Sequence, residues 1–199
     1  PATLTIVTES DSKEYDGEEL TADGSISGFV TPEGGEQETA TFEVTGSQTE
    51  VGKSNNTYKL TWDGTAVESD YELAETIGEL EVKKSTKELK VESADGEWTY
   101  DGNAHTNKTY TVTYGDETLS GTEGQVEFTL STGDKLTVVP ATSATITHVA
   151  EGEVANAFTW SVENESFYTK GEDTVGTLTV NPATLTIVTE SDSKEYDGE

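Results

Sequence analysis

Carboxylates are by far the most numerous groups in this sequence that could do chemistry. Its 199 residues include 40 Asp and Glu, 11 Lys and two His, with neither Arg nor Cys. Two carboxylic acids can hydrolyse a glycosidic bond, one as acid and one as nucleophile or base. With so many acids, close pairs must occur by chance, so a pair alone is not evidence of catalysis. His105 and His148 lie far apart without ligand spacing around either. We therefore predict no catalytic residue, no enzyme activity and no cofactor.

Three tryptophans could form a flat surface on which sugar rings stack. Trp62 and Trp160 alternate in register with Leu60 and Phe158, which favours burial, because an inward Trp is common in immunoglobulin-like cores. We predict that these two occupy equivalent core positions in two related modules. Trp98 lies in a short strand beside another aromatic residue, and the sequence leaves its position open.

Calcium is the alternative ligand, because this hard cation binds oxygen atoms supplied by loops. We expect five carboxylates to lie in turns that face a junction between modules: Asp11, Asp16, Asp95, Glu97 and Asp101. Their spacing does not match an EF-hand loop, and the expected junction is the most basic stretch of the chain. We therefore predict no metal site and expect that folding needs no metal, with calcium at module junctions as the alternative.

An intramolecular bond between Lys and Asn or Asp would be a further device for strengthening such modules. It requires an inward Lys in apolar surroundings beside a carboxylic acid. Lys59 alternates outward in its strand, and the other lysines lie in predicted turns or linkers. No such bond is expected.

The net charge of −29 excludes several classes of partner. A chain with this charge and no Arg is repelled by nucleic acid and by anionic lipid. It contains no run of about 18 apolar residues that could cross a membrane. The start shows no signal-peptide pattern and no Met, so we expect an internal segment of a longer protein whose export signal and anchor lie elsewhere.

An exact repeat organises the chain. The first 18 residues, PATLTIVTESDSKEYDGE, recur unchanged after an offset of 181 residues. A weaker echo lies between them, where residues 88–91 and 98–102 repeat the order of strand, aromatic residue and Asp-Gly turn. The unit therefore divides into two related modules. We predict modules over 1–85 and 86–181, and the first strand and turn of a next copy over 182–199.

Alternation of polar and apolar residues indicates strands throughout. Residues 39–45 and 57–62 show the pattern in the first module, and residues 110–114 and 126–130 show it in the second. Short strands at roughly ten-residue spacing, separated by Gly, Asp and Pro, are typical of a sandwich of two sheets. The predicted fold is all-β: two tandem immunoglobulin-like antiparallel β-sandwich modules plus the first strand of a third.

A combination of short motifs, in order, resembles a known family. The motifs are Lys13-Glu14-Tyr15-Asp16-Gly17, Val44-Thr45-Gly46-Ser47-Gln48, Asn56-Thr57-Tyr58 and Gly78-Glu79-Leu80-Glu81-Val82. They resemble the MBG-type, YDG-containing bacterial immunoglobulin-like repeats of large surface adhesins. The resemblance covers nearly all of the first module, whereas the second module departs from it between Asn103 and Ala155. It implies a tandem extracellular module without catalytic residues.

Two functions follow as expectations. The first is a spacer: a module of an extracellular stalk or fibre at a bacterial cell surface, whose partners are neighbouring repeats or identical chains end to end. The alternative is an adhesive module that binds a host glycan or protein. Exposed aromatic residues on loops would favour adhesion, and buried tryptophans would favour the spacer.

The C-terminal segment, 182–199, raises a separate question. Leu185 and Ile187 should be buried by the rest of a next module. Either the chain is a window cut from a continuous polymer, or this strand replaces Thr3–Val7 in another molecule by strand addition. Intact mass distinguishes them: about 21.3 kDa excludes the window, and a mass many times larger supports it.

Overall fold

The computed structural model describes residues 1–198. Eight strands form the first module: β1 (Ala2–Thr8), β2 (Asp11–Glu14), β3 (Gly24–Ser27), β4 (Thr41–Val44), β5 (Gly52–Asn55), β6 (Tyr58–Thr61), β7 (Tyr71–Thr76) and β8 (Glu79–Lys83). Their sheets have the orders β3-β1-β7, β2-β8-β5 and β4-β6. Alternate side chains of β1 are buried, as its sequence pattern predicts.

Ten strands form the second module: β9 (Glu88–Ser93), β10 (Gly96–Thr99), β11 (Tyr110–Tyr114), β12 (Glu117–Ser120), β13 (Glu127–Thr129), β14 (Lys135–Pro140), β15 (Val154–Ala155), β16 (Phe158–Val162), β17 (Thr169–Lys170) and β18 (Thr177–Asn181). Their sheets are β12-β11-β9-β17, β10-β18-β15 and β13-β14-β16. The predicted all-β sandwich class is confirmed. All named strand pairs lie within 1–83 or within 88–181.

The two modules share one pattern of strand pairing. Strands β1 to β8 correspond in order to β9, β10, β11, β14, β15, β16, β17 and β18, because each corresponding pair of strands has the same partner and direction. Strands β12 and β13 have no counterpart in the first module. They account for part of the sequence divergence between Asn103 and Ala155.

The expectation of purely antiparallel sheets is wrong in one respect. In the first module β1 runs parallel to β7, and β2 runs parallel to β8. The second module repeats this with β9 beside β17 and β10 beside β18. Because the first and last strands point the same way, the chain enters each module at one pole and leaves it at the other.

A buried asparagine fixes the point where the first and last strands of the first module pass from one sheet to the other. The Asn56 side chain donates to the Glu9 carbonyl at 2.9 Å, and its N–H donates to the Gly78 carbonyl at 2.8 Å. The Gly78 N–H donates to the Thr8 hydroxyl at 2.9 Å. A Cβ on Gly78 would lie 2.2 Å from the Glu9 oxygen, so only glycine allows the strands to come this close.

The second module repeats this arrangement. The Asn156 side chain donates to the Ala94 carbonyl at 2.8 Å, and its N–H donates to the Gly176 carbonyl at 2.8 Å. The Gly176 N–H donates to the Ser93 hydroxyl at 2.9 Å. These bonds satisfy backbone groups that the interrupted ladders leave unpaired.

The predicted equivalence of Trp62 and Trp160 is wrong by two residues. Counting four residues from the buried asparagine of each module leads to Leu60 in the first and to Trp160 in the second. Strand pairing agrees, since Leu60 lies opposite Phe42 and Trp160 lies opposite Val138 at the matching place. The alternation of apolar residues is the same in both registers, so it could not reveal the offset.

The largest apolar cluster crosses the predicted boundary at 85/86. It joins Tyr15, Leu20, Leu80 and Val82 of the first module to buried residues of the second, among them Leu136. The modules therefore share a core at their junction while their sheets stay separate.

The predicted strand within 182–199 is not formed over the described residues 182–198. Leu185 is 85% exposed, although β1, with the same sequence, is buried on one face. β1 pairs with β3 and β7, whereas no strand of residues 1–198 pairs with this segment. A contact of the turn persists, since Lys194 Nζ lies 3.2 Å from Asp197 Oδ2. Glu199 lies outside the described residues.

Candidate functional site

The turn that follows β2 projects from the exit pole of the first module. The Tyr15 N–H donates to the Lys83 carbonyl at the end of β8, at 2.8 Å. Asp16 accepts from the Glu18 N–H at 2.9 Å and from Lys13 Nζ at 2.7 Å. These contacts form an Asx-type turn and direct the tyrosine ring away from its own module.

Tyr15 inserts into the second module. Its hydroxyl donates to Asp134 Oδ2 at 2.9 Å. Its ring meets the rings of Phe167 and Tyr168 edge to face, at centroid distances of 5.0 and 5.8 Å. Only 6% of Tyr15 is exposed. The residue therefore makes both an apolar and a polar contact with the second module.

Asp134 is the polar centre of this junction and is 8% exposed. Besides the Tyr15 bond, its carboxylate accepts from the Tyr168 hydroxyl at 2.6 Å and from Asn164 Nδ2 at 3.0 Å. A buried carboxylate requires such donors, because a buried charge that is left without a partner destabilises the fold by several kcal/mol, on the order of 3–5. Three donors from two modules meet that need.

The junction changes the acidity of both phenols. Burial, followed by the hydrogen bond to Asp134, raises the pKa of Tyr15 to about 12. The same two causes raise the pKa of Tyr168. Both groups are therefore protonated donors at neutral pH, as the carboxylate requires.

Close approach of the two modules depends on one glycine. Gly17 has a φ of 84°, in the left-handed region that glycine tolerates. A Cβ at this position would lie 2.0 Å from the carbonyl oxygen of Thr132. The YDG motif thus supplies a ring that inserts, an acid that closes the turn and a glycine that fits against the second module.

The linker between the modules is fastened as well. Ser85, which is buried, donates its N–H to the Phe167 carbonyl at 2.9 Å and accepts from the Tyr114 hydroxyl at 2.7 Å. The Thr169 hydroxyl donates to the Ser85 carbonyl at 2.7 Å. Thr86 donates its N–H to Glu14 at 3.0 Å, and this bond is the first cause of a lowered pKa for Glu14. The junction is therefore a built contact and not a free hinge.

The five carboxylates considered for calcium do not converge. Asp11 lies in β2 and Glu97 in β10, so the expectation that both occupy turns is wrong. Asp16 does lie at the junction, where Lys13 pairs with it. Asp95 accepts from a backbone N–H, and Asp101 is at the opposite pole of the second module. Among residues 1–198, no group of three or more His, Asp or Glu has the geometry of a metal site.

The two histidines lie at separate places in the second module. The His105 ring stacks on Trp98 with centroids 4.9 Å apart, and its Nε2 lies 3.0 Å from Asp101 Oδ1. His148 precedes a short 3₁₀ turn, and its N–H donates to Glu151 at 2.6 Å. The structure brings neither one into a set of converging catalytic groups.

The prediction of full core burial for Trp62 and Trp160 is wrong: both are half-buried at the edge of an apolar cluster, and Trp98 is half-buried as well. Trp62 stacks on Tyr71 with centroids 5.9 Å apart, within an apolar cluster of the first module. Trp98 stacks on His105. Trp160 donates its Nε1–H to Asp173 at 2.7 Å. They lie on different parts of the chain and do not form one common platform.

Lys59 is exposed, as its alternation predicts. Ten of the eleven lysines are exposed, and the eleventh, Lys13, is half-buried beside Asp16. Among the described residues no Lys therefore occupies the apolar setting that an isopeptide bond requires.

Sequence reasoning missed the partner of the YDG tyrosine. The sequence places Tyr15 before an Asp-Gly turn, and Thr132-Gly133-Asp134 has the Gly and Asp that are typical of a loop between strands. Tyr15 and Asp134 are 119 residues apart, and no local pattern links them. The recurrence of Tyr-Asp-Gly at Tyr15 and at Tyr100 is the one available signal, because other Asp-Gly pairs of the chain, such as Asp23-Gly24 and Asp63-Gly64, have no tyrosine before them.

Comparisons with family models, with curated proteins and with solved structures find no match to this chain. Over residues 1–198, no helix is both long enough and apolar enough to span a bilayer.

Proposed function

We propose that this chain is a structural repeat of an extracellular bacterial stalk or fibre, in which it acts as a spacer of the kind found in MBG-type surface adhesins. The observation that carries the proposal is the junction in which Tyr15 of one module is buried against Asp134 of the next. A spacer must transmit direction from module to module, and a tyrosine seated in the next module limits bending there.

Two further features support the spacer. Each module receives the chain at one pole and releases it at the other, so successive modules extend a line. The net charge of −29 on polar outer strands opposes lateral clumping of neighbouring fibres. The resemblance of the first module to MBG-type repeats is the reason for proposing a bacterial cell surface as the location.

The proposal is tested with chains that contain one, two or three copies of the 181-residue unit. Small-angle X-ray scattering should give a maximum dimension that rises by the same increment with each copy. Compact packing would instead make the radius of gyration follow roughly the 0.38 power of chain length, and that result would overturn the spacer.

An adhesive module that binds a host glycan or protein is the second candidate. The tryptophans are half-buried and Tyr100 is 39% exposed, so aromatic burial does not decide between the two candidates. The spacer is preferred because the tryptophans share no common surface and the junction at Tyr15 is closed. Saturable binding of the single unit to a glycan array or to host-cell protein, lost on substitution of an exposed aromatic residue, would reverse that preference.

A further inference from the structure

A second YDG turn lies at the exit pole of the second module and has the same geometry as the first. The Tyr100 N–H donates to the Asn181 carbonyl at the end of β18, at 2.8 Å, as the Tyr15 N–H does at the end of β8. Gly102 has a φ of 82°, against 84° for Gly17. Both tyrosines therefore project from the exit pole of their module.

The two tyrosines differ in what they meet. Tyr100 is 39% exposed, and over residues 1–198 its hydroxyl makes no hydrogen bond. Its ring lies 5.9 Å from that of His148, in its own module. Tyr100 has the position of Tyr15 without the acceptor that Tyr15 finds in Asp134.

The matching acceptor lies at the entry pole of the first module. Tyr71 follows a 3₁₀ turn as Tyr168 does, and it occupies the same place beside the first strand of its module. Each hydroxyl donates to a carboxylate, which is Glu38 for Tyr71 and Asp134 for Tyr168. Glu38 is thus the counterpart of Asp134.

This entry pole is open. Pro1, Glu38, Asp70 and Tyr71 line a cavity of about 490 Å³ there. Glu38 is only half-buried, whereas Asp134 is buried beneath Tyr15. The pole also carries the Asp70 carboxylate, so a neutral phenol fits it better than another acid would.

A further repeat would bring the turn that carries Tyr100 next to the pole that carries Glu38. Residues 182–199, which follow β18, are identical to the first 18 residues of the first module. A following copy of the first module would present its Glu38 at the exit pole of the second module. Leu185 has the place in the repeat that the buried Leu4 has in the first module, and it follows Val180 by two residues fewer than Leu89 follows Val82. The shorter connection would keep the poles close.

We propose that Tyr100 of one unit docks into the entry pole of the following copy of the first module and donates a hydrogen bond to Glu38. Every junction of the fibre is then closed by the same tyrosine–carboxylate contact, and the fibre has no free hinge. This inference rests on the proposed spacer function and names the contact that joins one unit to the next.

A tandem chain tests the contact: residues 1–181 followed by residues 1–199. Because the protein has no Cys, single cysteines can carry spin labels at chosen sites. Glu43 and Glu127 are exposed strand residues in the first and second modules. Labels at these two sites within one copy span the internal junction. Labels at Glu127 of the first copy and Glu43 of the second span the junction between copies.

Both pairs should give one narrow distance distribution by pulsed electron spin resonance. Tyr100→Phe in the first copy should raise the fraction of bent conformers at the junction between copies by about tenfold, as expected for loss of a charge-assisted hydrogen bond. It should leave the internal junction unchanged. Glu38→Ala in the second copy should have the same effect.

The tandem chain contains its own matched controls. Tyr100→Phe in the second copy and Glu38→Ala in the first copy remove the same groups where no partner module is present, so neither should alter the junction between copies. A broad distribution in the unsubstituted chain would overturn the inference, as would a narrow one that Tyr100→Phe leaves unchanged. The spacer function would survive either result if scattering still shows a constant increment of length per copy.

Discussion

Replacing Tyr15 by Phe isolates the polar half of the junction. The ring stays between Phe167 and Tyr168, and only the bond to Asp134 is lost. A hydrogen bond to a charged group contributes about 1.5–3 kcal/mol. Asp134 retains two donors after the change, so we expect a loss near the lower limit, about 1.5 kcal/mol. Tyr15→Ala also empties the space of a buried ring and should cost roughly 3–5 kcal/mol.

Urea unfolding followed by tryptophan fluorescence measures these losses, since Trp62 reports on the first module and Trp98 and Trp160 on the second. The matched control is Tyr100→Phe, which removes a hydroxyl from the same turn where the single unit offers it no acceptor. We expect that control to stay within about 0.5 kcal/mol of the unsubstituted chain. If Tyr15→Phe and Tyr100→Phe have the same small effect, Asp134 does not hold the modules together and the argument for a built junction fails.

Four further predictions concern the response to pH, the buried asparagine, the glycine at the sheet crossing and calcium. Folding raises the pKa of Tyr15 from 10.0 to about 12, so the folded state retains a proton that the unfolded state releases; stability should fall as pH rises from 10 towards 12, and Tyr15→Phe should flatten that slope in alkaline melts. Asn156→Ala leaves two buried carbonyls without donors and should cost about 2–3 kcal/mol in urea unfolding. Gly78→Ala should destabilise the chain far more than Gly35→Ala, because the methyl group added at Gly35 has room. Melting temperatures in calcium and in chelator should agree apart from general screening of charge, and a saturable rise at low calcium would reveal a site.

The sequence predicts strands such as β1 and β9 well because one buried face imposes a period of two, whereas β7 buries only Tyr71 and lacks this alternation. The division into two modules stays a prediction from the exact repeat and its weaker echo, and all named strand pairs lie within 1–83 or within 88–181. The sequence could not predict the parallel pairing of β1 with β7, since alternation specifies which face is buried and not which neighbour or direction a strand takes.

The errors at particular residues have similar causes. The spacing from Asn156 identifies the residue that corresponds to Trp160 as Leu60, whereas the size of the side chain points to Trp62. Asp134 was missed because an acid next to a glycine looks the same in a turn and in a buried site. Only the arrangement of the whole chain brings Tyr15 within reach of it.

The parallel first and last strands determine how a module responds to tension. When force pulls the chain at its two ends, β1 is drawn one way and β7 the other, along the direction of both strands. Their register extends from Ala2 opposite Tyr71 to Val7 opposite Thr76, and its hydrogen bonds lie across the pull. The force therefore acts in shear on all the hydrogen bonds between β1 and β7. These bonds must break together instead of opening one after another. A module built this way resists extension along the line between its two ends more than it resists peeling from one end.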